Sequence, residues 1–553
     1  MDSTNSPEGT TTGLAQNSVL VVILLLSLAL NLVGITWGLP NEDIFVSYEA
    51  DELVFLNALR NMDPARLDLN PDNLRIGSGV PYMLAVGIVL AAALGQVTIT
   101  GSSEYYLANI EQWARMYLIG RLISVVAVTL SAWVMYLILR ELLRERPGWV
   151  PLAGAFLTAT MPGMVQYAHF LSYSAPVVLW VGLSFYLLLR LMQNGRTRFY
   201  VLSGLVIGSG IAVRYTAALL VPFLLLAHVF RFGHWRGAFR RGGLRQLLGG
   251  YLCIPAAFVA FMPYALLDWR SFISQMVWGL RYATPLHIAW STRLTNLWTG
   301  FLPAGLGWGL YLLSIMSLLW LGITQRHHRD RLLILLWLLP SLLVANLAAV
   351  PTVGRLLPIL YVLVVPATLF LAATWCWAAA QSAMWPRWIA VGIGMVVGLI
   401  TLGKGIQHDT FFLTDTVRAD ASDWIQANIL AGETIGYVHG GPFWASPDLL
   451  NQDYYHPELT GELYRHVTAE DDWEELVSNP PPYIVTNQRQ YRKTKPEHRA
   501  ILAQYELATE FMPVVPLDRV TVLYGQHASE IRIFRWVGAQ GSGQTIEEMC
   551  AGW

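Results

Sequence analysis

Between residues 20 and 406 one pattern recurs: apolar runs near the length of about 20 residues that a helix needs to cross a bilayer, separated by short loops whose charge is carried by arginine. Backbone that crosses lipid must satisfy its own N–H and C=O groups, so runs of this length specify helices. Only 13% of the 553 residues are charged and 54% are hydrophobic, against a charged fraction of roughly 25% in soluble domains. The chain reads as a mostly α, polytopic integral membrane protein. A net charge of −1 gives no electrostatic footing for a nucleic-acid partner. Of the 36 basic residues three are lysine (Lys404, Lys493, Lys495), which makes arginine the prevailing cation wherever an anion must be held. Its planar fork suits phosphate. Cys253 and Cys376 fall in apolar segments and Cys550 in the polar tail, so no disulfide framework is expected.

Arginine-rich loops stay cytoplasmic, which places 140–146, 190–198, 231–245, 326–331 and the turn at Arg387 inside. Spans are then predicted at 20–39, 116–139, 151–169, 170–191, 247–267, 301–323, 332–349, 356–380 and 388–406. The stretch 200–230 runs between two inner loops and is too short for two full spans, so two short helices should meet near Arg214. A full span at 79–99 would carry the motif RELLRER to the wrong side, and an interfacial or re-entrant outer helix is expected instead. That makes about eleven crossings. The polar tail 1–17 has no basic n-region and no cleavage site, so the first span reads as uncleaved. The membrane domain is expected over 18–406, with an outer loop at 40–115, and the odd count of crossings places 407–553 outside in the plasma membrane's extracytoplasmic space. There an amphipathic helix at 415–429 with Asp415 as N-cap, strands at 433–439, 482–487, 519–524 and 530–536, and helical patterns EDDWEELV and PEHRAILAQYEL predict a small α/β domain.

Few side chains in this chain suit chemistry. In 47–62, SYEADELVFLNALRNM, the adjacent Asp51 and Glu52 open a helix whose apolar residues Phe55, Leu59 and Met62 recur at helical spacing. Neighbours on a helix point about 100° apart, so one carboxylate acts on a given atom while the other orients it or stabilises the helix start. Arg121, Arg214 and Arg355 each lie at the outer end or apex of a predicted span, where snorkelling is the plain alternative to binding an anion. His327, His328, His439 and His456 form no ligand pattern, and HGGPFW at 439–444 reads as a turn. The loop 268–300 mixes Trp269, Trp278, Trp290 and Trp298 with Arg270, Arg281 and Arg293, which suits a sugar or lipid head-group surface and equally an interfacial anchor.

The acidic pair in YEADELVFLNALRNM, the following LNP and GSGVPYMLAVG, the run YLIGRLISVVAVTL, the paired half-helices GLVIGSGIAVRYTAALLVPFLLL and GRLLPILYVLVVPA, taken in order, resemble the GT-C superfamily of membrane glycosyltransferases. The resemblance is to the lipid-carrier-dependent branch that contains protein O-mannosyltransferases and aminoarabinose transferases. It implies inverting transfer of a hexosyl or pentosyl unit from a polyprenyl-phosphate donor to an acceptor hydroxyl on a protein, lipid or polysaccharide. It implies that Asp51 is the catalytic base with Glu52 beside it, and that Arg121, Arg214 and Arg355 bind the donor phosphate. Some members use a divalent cation, for which no ligand cluster beyond the acidic pair is visible here. Where relatives carry His-Pro before the pair, this chain has Glu49 and Ala50, and Gly77, Ser78 and Gly79 stand where a basic Pro-Pro motif often precedes the interfacial helix. A transporter or flippase of lipid-linked glycan and a non-catalytic glycan-binding subunit are the alternatives. The first would show charged residues lining the mid-membrane and two-fold hydropathy symmetry, neither of which is found.

Overall fold

A computed structural model describes residues 8–143, 148–283, 289–324, 328–347, 352–442, 446–515 and 530–538. The chain divides into two compact units: Met1–Ile35 with Val54–Gly101 and Met116–Asp409, and Thr36–Leu53 with Ser102–Arg115 and Thr410–Trp553.

The first unit is helical. Eight helices among the described residues are long and apolar enough to cross a membrane, and a ninth arises if Trp290–Leu306 and Trp308–Thr324, bent by 118°, count as one span. Gly307, at φ +77°, makes that bend. Of the eleven expected crossings, two correspond to helices of only 12 residues (Trp149–Thr160) and 17 residues (Thr197–Val213). Both fall short of the roughly 20 residues that a lone span needs. The first helix, Glu8–Leu32, starts earlier and stops earlier than the predicted 20–39. Gly34 and Gly38, both at positive φ, turn the chain at its end. The expected break near Arg214 is present: Thr197–Val213 ends there, Arg214 is extended (φ −157°, ψ 127°), and a 3₁₀ turn Tyr215–Leu220 leads into helix Val221–Phe232. The helix expected at 79–99 is Gly79–Ala93.

The second unit carries a five-stranded sheet, with β1 Thr434–Tyr437, β2 Arg465–Thr468, β3 Tyr483–Asn487, β4 Tyr505–Phe511 and β5 Ile531–Trp536, in the order β2-β1-β3-β5-β4. β1 is parallel to β2 and β3, and β5 is antiparallel to β3 and β4. Both faces are covered, which is why β3 is buried at every position from Ile484 to Asn487 rather than at alternate ones. Ile435, Val485, Ile531 and Ile533 pack with Val417, Ala421 and Ile425 of helix Val417–Asn428. Val467, Ile484 and Phe534 pack on the other side with Leu476, Ile501 and Leu502. The N-cap of helix Val417–Asn428 is Thr416, not Asp415. The predicted strand 519–524 lies outside the described residues. β2 was not anticipated, and the pattern PEHRAILAQYEL is helical only to Gln504 before it becomes β4.

Candidate anion site at Arg214 and Arg355

Arg214 gains its position from the break in its own segment. Because the residue is extended between a helix end and a 3₁₀ turn, its side chain leaves the helical surface and its guanidinium lies over the ring of Tyr173, 4.1 Å from the centroid. The preceding two residues are gripped by the glycines of the GSG motif. At Gly77 (φ +86°) an added Cβ would lie 2.4 Å from the Ala212 carbonyl oxygen, and at Gly79 it would lie 3.1 Å from Val213 Cα and N. Only glycine admits this approach, so the motif that lacks a basic residue serves to seat the helix end that presents Arg214. Gly77→Ala is expected to destabilise the protein by about 1–3 kcal/mol from backbone strain alone, with the backbone clash adding to it. Gly95, at φ +71° with nothing within 4 Å, supplies the control. Thermal melts should show Gly77→Ala losing clearly more than Gly95→Ala, and equal losses would refute the packing role.

Arg355 stands in the first turn of helix Val353–Ala379, where the Thr352 side chain accepts the Arg355 N–H as N-cap. Arg214 and Arg355 line one small cavity, of about 80 Å³, together with Trp337, Ser341, Pro358 and Ile359. Among the described residues no carboxylate lines it. Three buried donors around it lack a hydrogen-bond partner among the described residues: Arg214 Nη1, Trp337 Nε1 and Ser341 Oγ. Buried polar atoms in folded proteins are nearly always paired. Two cations and unpaired donors at a helix N-terminus, with no acid, make a site that favours an oxyanion.

Arg121 is elsewhere. It is fully buried, and its Nη1 donates to the Ile35 carbonyl at 2.7 Å. Beside it His169 Nε2 lies 2.7 Å from the Val33 carbonyl and Nδ1 lies 2.8 Å from Val165 O, with Asp409 Oδ1 at 4.0 Å. Arg121 and His169 thus serve the carbonyls of the turn that ends the first helix, groups that helix termini leave unsatisfied. The structure joins Arg214 with Arg355 and does not bring Arg121 to their cavity.

The acidic pair opens helix Ala50–Arg60, with Asp51 exposed and Glu52 fully buried. Glu49 attends to the helix start, its Oε1 accepting the Asp51 N–H at 3.4 Å. One turn beyond Asp51 on the same helix, the ring of Phe55 lies 6.3 Å from that of Tyr173, the ring that carries Arg214. Tyr173, Trp337 and Ser341 were not anticipated. Pro340 inside helix Arg329–Leu347 was the one local sign of an irregularity there. Among the described residues no group of three or more His, Cys, Asp or Glu is disposed to hold a metal ion.

A family model described as dolichyl-phosphate-mannose-protein mannosyltransferase matches residues 117–269, a segment that includes Arg121, Tyr173 and Arg214. The archaeal oligosaccharyltransferase AglB from Archaeoglobus fulgidus, solved with an inhibitory peptide and a dolichol-phosphate, superposes with TM-score 0.50 at 11% identity over 96% of this chain and 75% of that one. The chain has the GT-C fold. The fold expected from the motifs is therefore present. Another GT-C neighbour is ArnT from Cupriavidus metallidurans bound to undecaprenyl phosphate, with TM-score 0.41, 14% identity, and coverage of 97% of this chain and 100% of that one. No curated protein matches the sequence.

Proposed function

We propose that this GT-C protein transfers a sugar from a polyprenyl-phosphate donor to an acceptor hydroxyl on the extracytoplasmic face of the membrane, with inversion at the anomeric carbon. The observation that carries the reading is the cavity shared by Arg214 and Arg355, which among the described residues is lined by no acid and ringed by buried donors without a hydrogen-bond partner. In the proposed step the Asp51 carboxylate takes the proton of the acceptor hydroxyl as its oxygen attacks the anomeric carbon. The bond from that carbon to the phosphate oxygen breaks, and the polyprenyl phosphate leaves carrying the bonding electrons. Arg214 and Arg355 hold the charge that grows on the phosphate, the place where fixed cations lower a barrier most. A leaving group so stabilised needs no acid, so one carboxylate suffices where a glycosidase employs two. The exposure of Asp51 suits the base, and the burial of Glu52 suits a supporting role in the same helix.

The matched family description and the dolichol-phosphate named for AglB support a polyprenyl-phosphate donor with a mannosyl unit as the first candidate sugar. The purified protein, incubated with a panel of polyprenyl-phosphate hexoses and pentoses and followed by mass spectrometry, should release polyprenyl phosphate from at least one of them. Silence across the panel in the presence of peptide, lipid and saccharide acceptors would overturn the reading.

A further inference from the structure

The segment that leads into the acidic helix folds with the C-terminal sheet domain, in the unit formed by Thr36–Leu53, Ser102–Arg115 and Thr410–Trp553. The ties are specific. Tyr48, three residues before Asp51, donates its hydroxyl to Asp448 Oδ2 at 2.6 Å. The Arg418 guanidinium covers the Tyr48 ring at 4.0 Å, and Arg418 Nε lies 2.9 Å from Asp448 Oδ1 and 3.1 Å from the Ser446 carbonyl. Arg418 and Asp448 are both buried. Three residues further back, Phe45 N–H donates to Gln452 Oε1, its carbonyl accepts Trp113 Nε1–H, both at 2.9 Å, and its ring stacks on Trp113. Trp37 closes the other edge of Tyr48 and meets Phe411 and Phe412. Gly38 at φ +58° lets the Tyr48 ring lie where a Cβ would be, 2.3 Å from its nearest atom.

A buried Arg–Asp pair is a weak source of stability, because desolvating two charges offsets much of their attraction. Such a pair is of more use in fixing a geometry. Here both partners bear on one side chain, Tyr48: Asp448 holds its hydroxyl and Arg418 its ring. A tyrosine fixed at both ends cannot rotate or slide, and the backbone that it anchors enters helix Ala50–Arg60 two residues later.

We propose that the C-terminal sheet domain is a positioning element for the acidic pair, with Tyr48, Arg418 and Asp448 as positioning residues for Asp51. The inference rests on the reading of Asp51 as base. It gives the domain a part in the transfer step.

The test uses the full-length protein in nanodiscs and the member of the donor panel that turns over. Tyr48→Phe keeps the ring beneath Arg418 and removes only the hydroxyl, so it should fold. Loss of alignment should lower kcat by about 10-fold or more, with the KM for donor within about 2-fold, since misplacement by an ångström costs up to about 100-fold. In an Asp51→Asn background the same change should have no further effect, because a residue that acts through Asp51 has nothing left to align. Amides 50–55 should exchange with deuterium faster in Tyr48→Phe and faster still in Asp448→Asn, which removes the carboxylate charge beside Arg418. Unchanged kcat, an effect that persists in the Asp51→Asn background, or unchanged protection of 50–55 would each overturn the positioning role. If Asp51→Asn itself transfers normally, the base assignment is what fails. The exchange experiment reads the anchoring without reference to activity.

Discussion

Asp51→Asn is expected to lower sugar transfer by about 10²–10⁴-fold, the range that a positioned general base contributes, while leaving expression, thermal stability and donor affinity near those of the unmodified protein. The side chain is exposed, so its replacement disturbs no buried packing. Asparagine keeps the size and one acceptor oxygen but cannot take the proton. The loss should therefore fall on kcat, with the KM for donor little changed, because the acceptor proton moves only in the transition state. Glu52→Gln is the informative companion. Glu52 is fully buried, so its replacement should act on stability as well as on rate. Donor turnover by Asp51→Asn at the unmodified rate would remove the base from the mechanism.

Replacing Arg355 or Arg214 by glutamine should separate affinity from stability in the opposite sense. Each guanidinium that contacts the donor phosphate contributes charge-assisted hydrogen bonds of about 1.5–3 kcal/mol, which corresponds to a loss of roughly 10–150-fold in donor affinity. The ligand-free protein should lose nothing comparable. The two cations share a cavity lined by no acid among the described residues, so deleting one relieves repulsion between like charges. Arg355→Gln is thus expected to bind donor far more weakly while its ligand-free thermal midpoint stays level or rises, the pattern of a site that holds strain for function. The double variant should lose less than the sum of the singles, since both act on one phosphate. A lowered midpoint with unchanged donor affinity would show the pair to be structural. Arg214→Gln also gives up the cation over Tyr173.

Much of the membrane domain was legible because lipid leaves a helix few alternatives. Hydropathy gave the long helices, and the charge of the flanking loops required 200–230 to turn back on itself, which placed the break at Arg214. The run read as one span at 151–169 is instead two shorter helices, Trp149–Thr160 and Pro162–Ala168, with Pro162 opening the second. In the sheet domain, β1, β3 and β5 declared themselves by apolar runs. β2 is four residues long with an exposed Arg465, and β4 begins inside a helical pattern, so local propensity had no hold on either; pairing with β1 and β5 made them strands.

The candidate site divides along the same line. Residue type and place along the chain were enough to single out Asp51, Glu52, Arg214 and Arg355, because ionisable groups in an apolar chain are few and costly. Only tertiary structure could decide that Arg214 and Arg355 share a cavity while Arg121 is committed to the Ile35 carbonyl, since each contact joins segments far apart in sequence. The same holds for Tyr48, whose partner Asp448 lies 400 residues away. Hydropathy and local charge are properties of neighbours along the chain and can be read from it. Which distant side chains meet depends on how helices pack and where a sheet closes, and no local pattern carries that information.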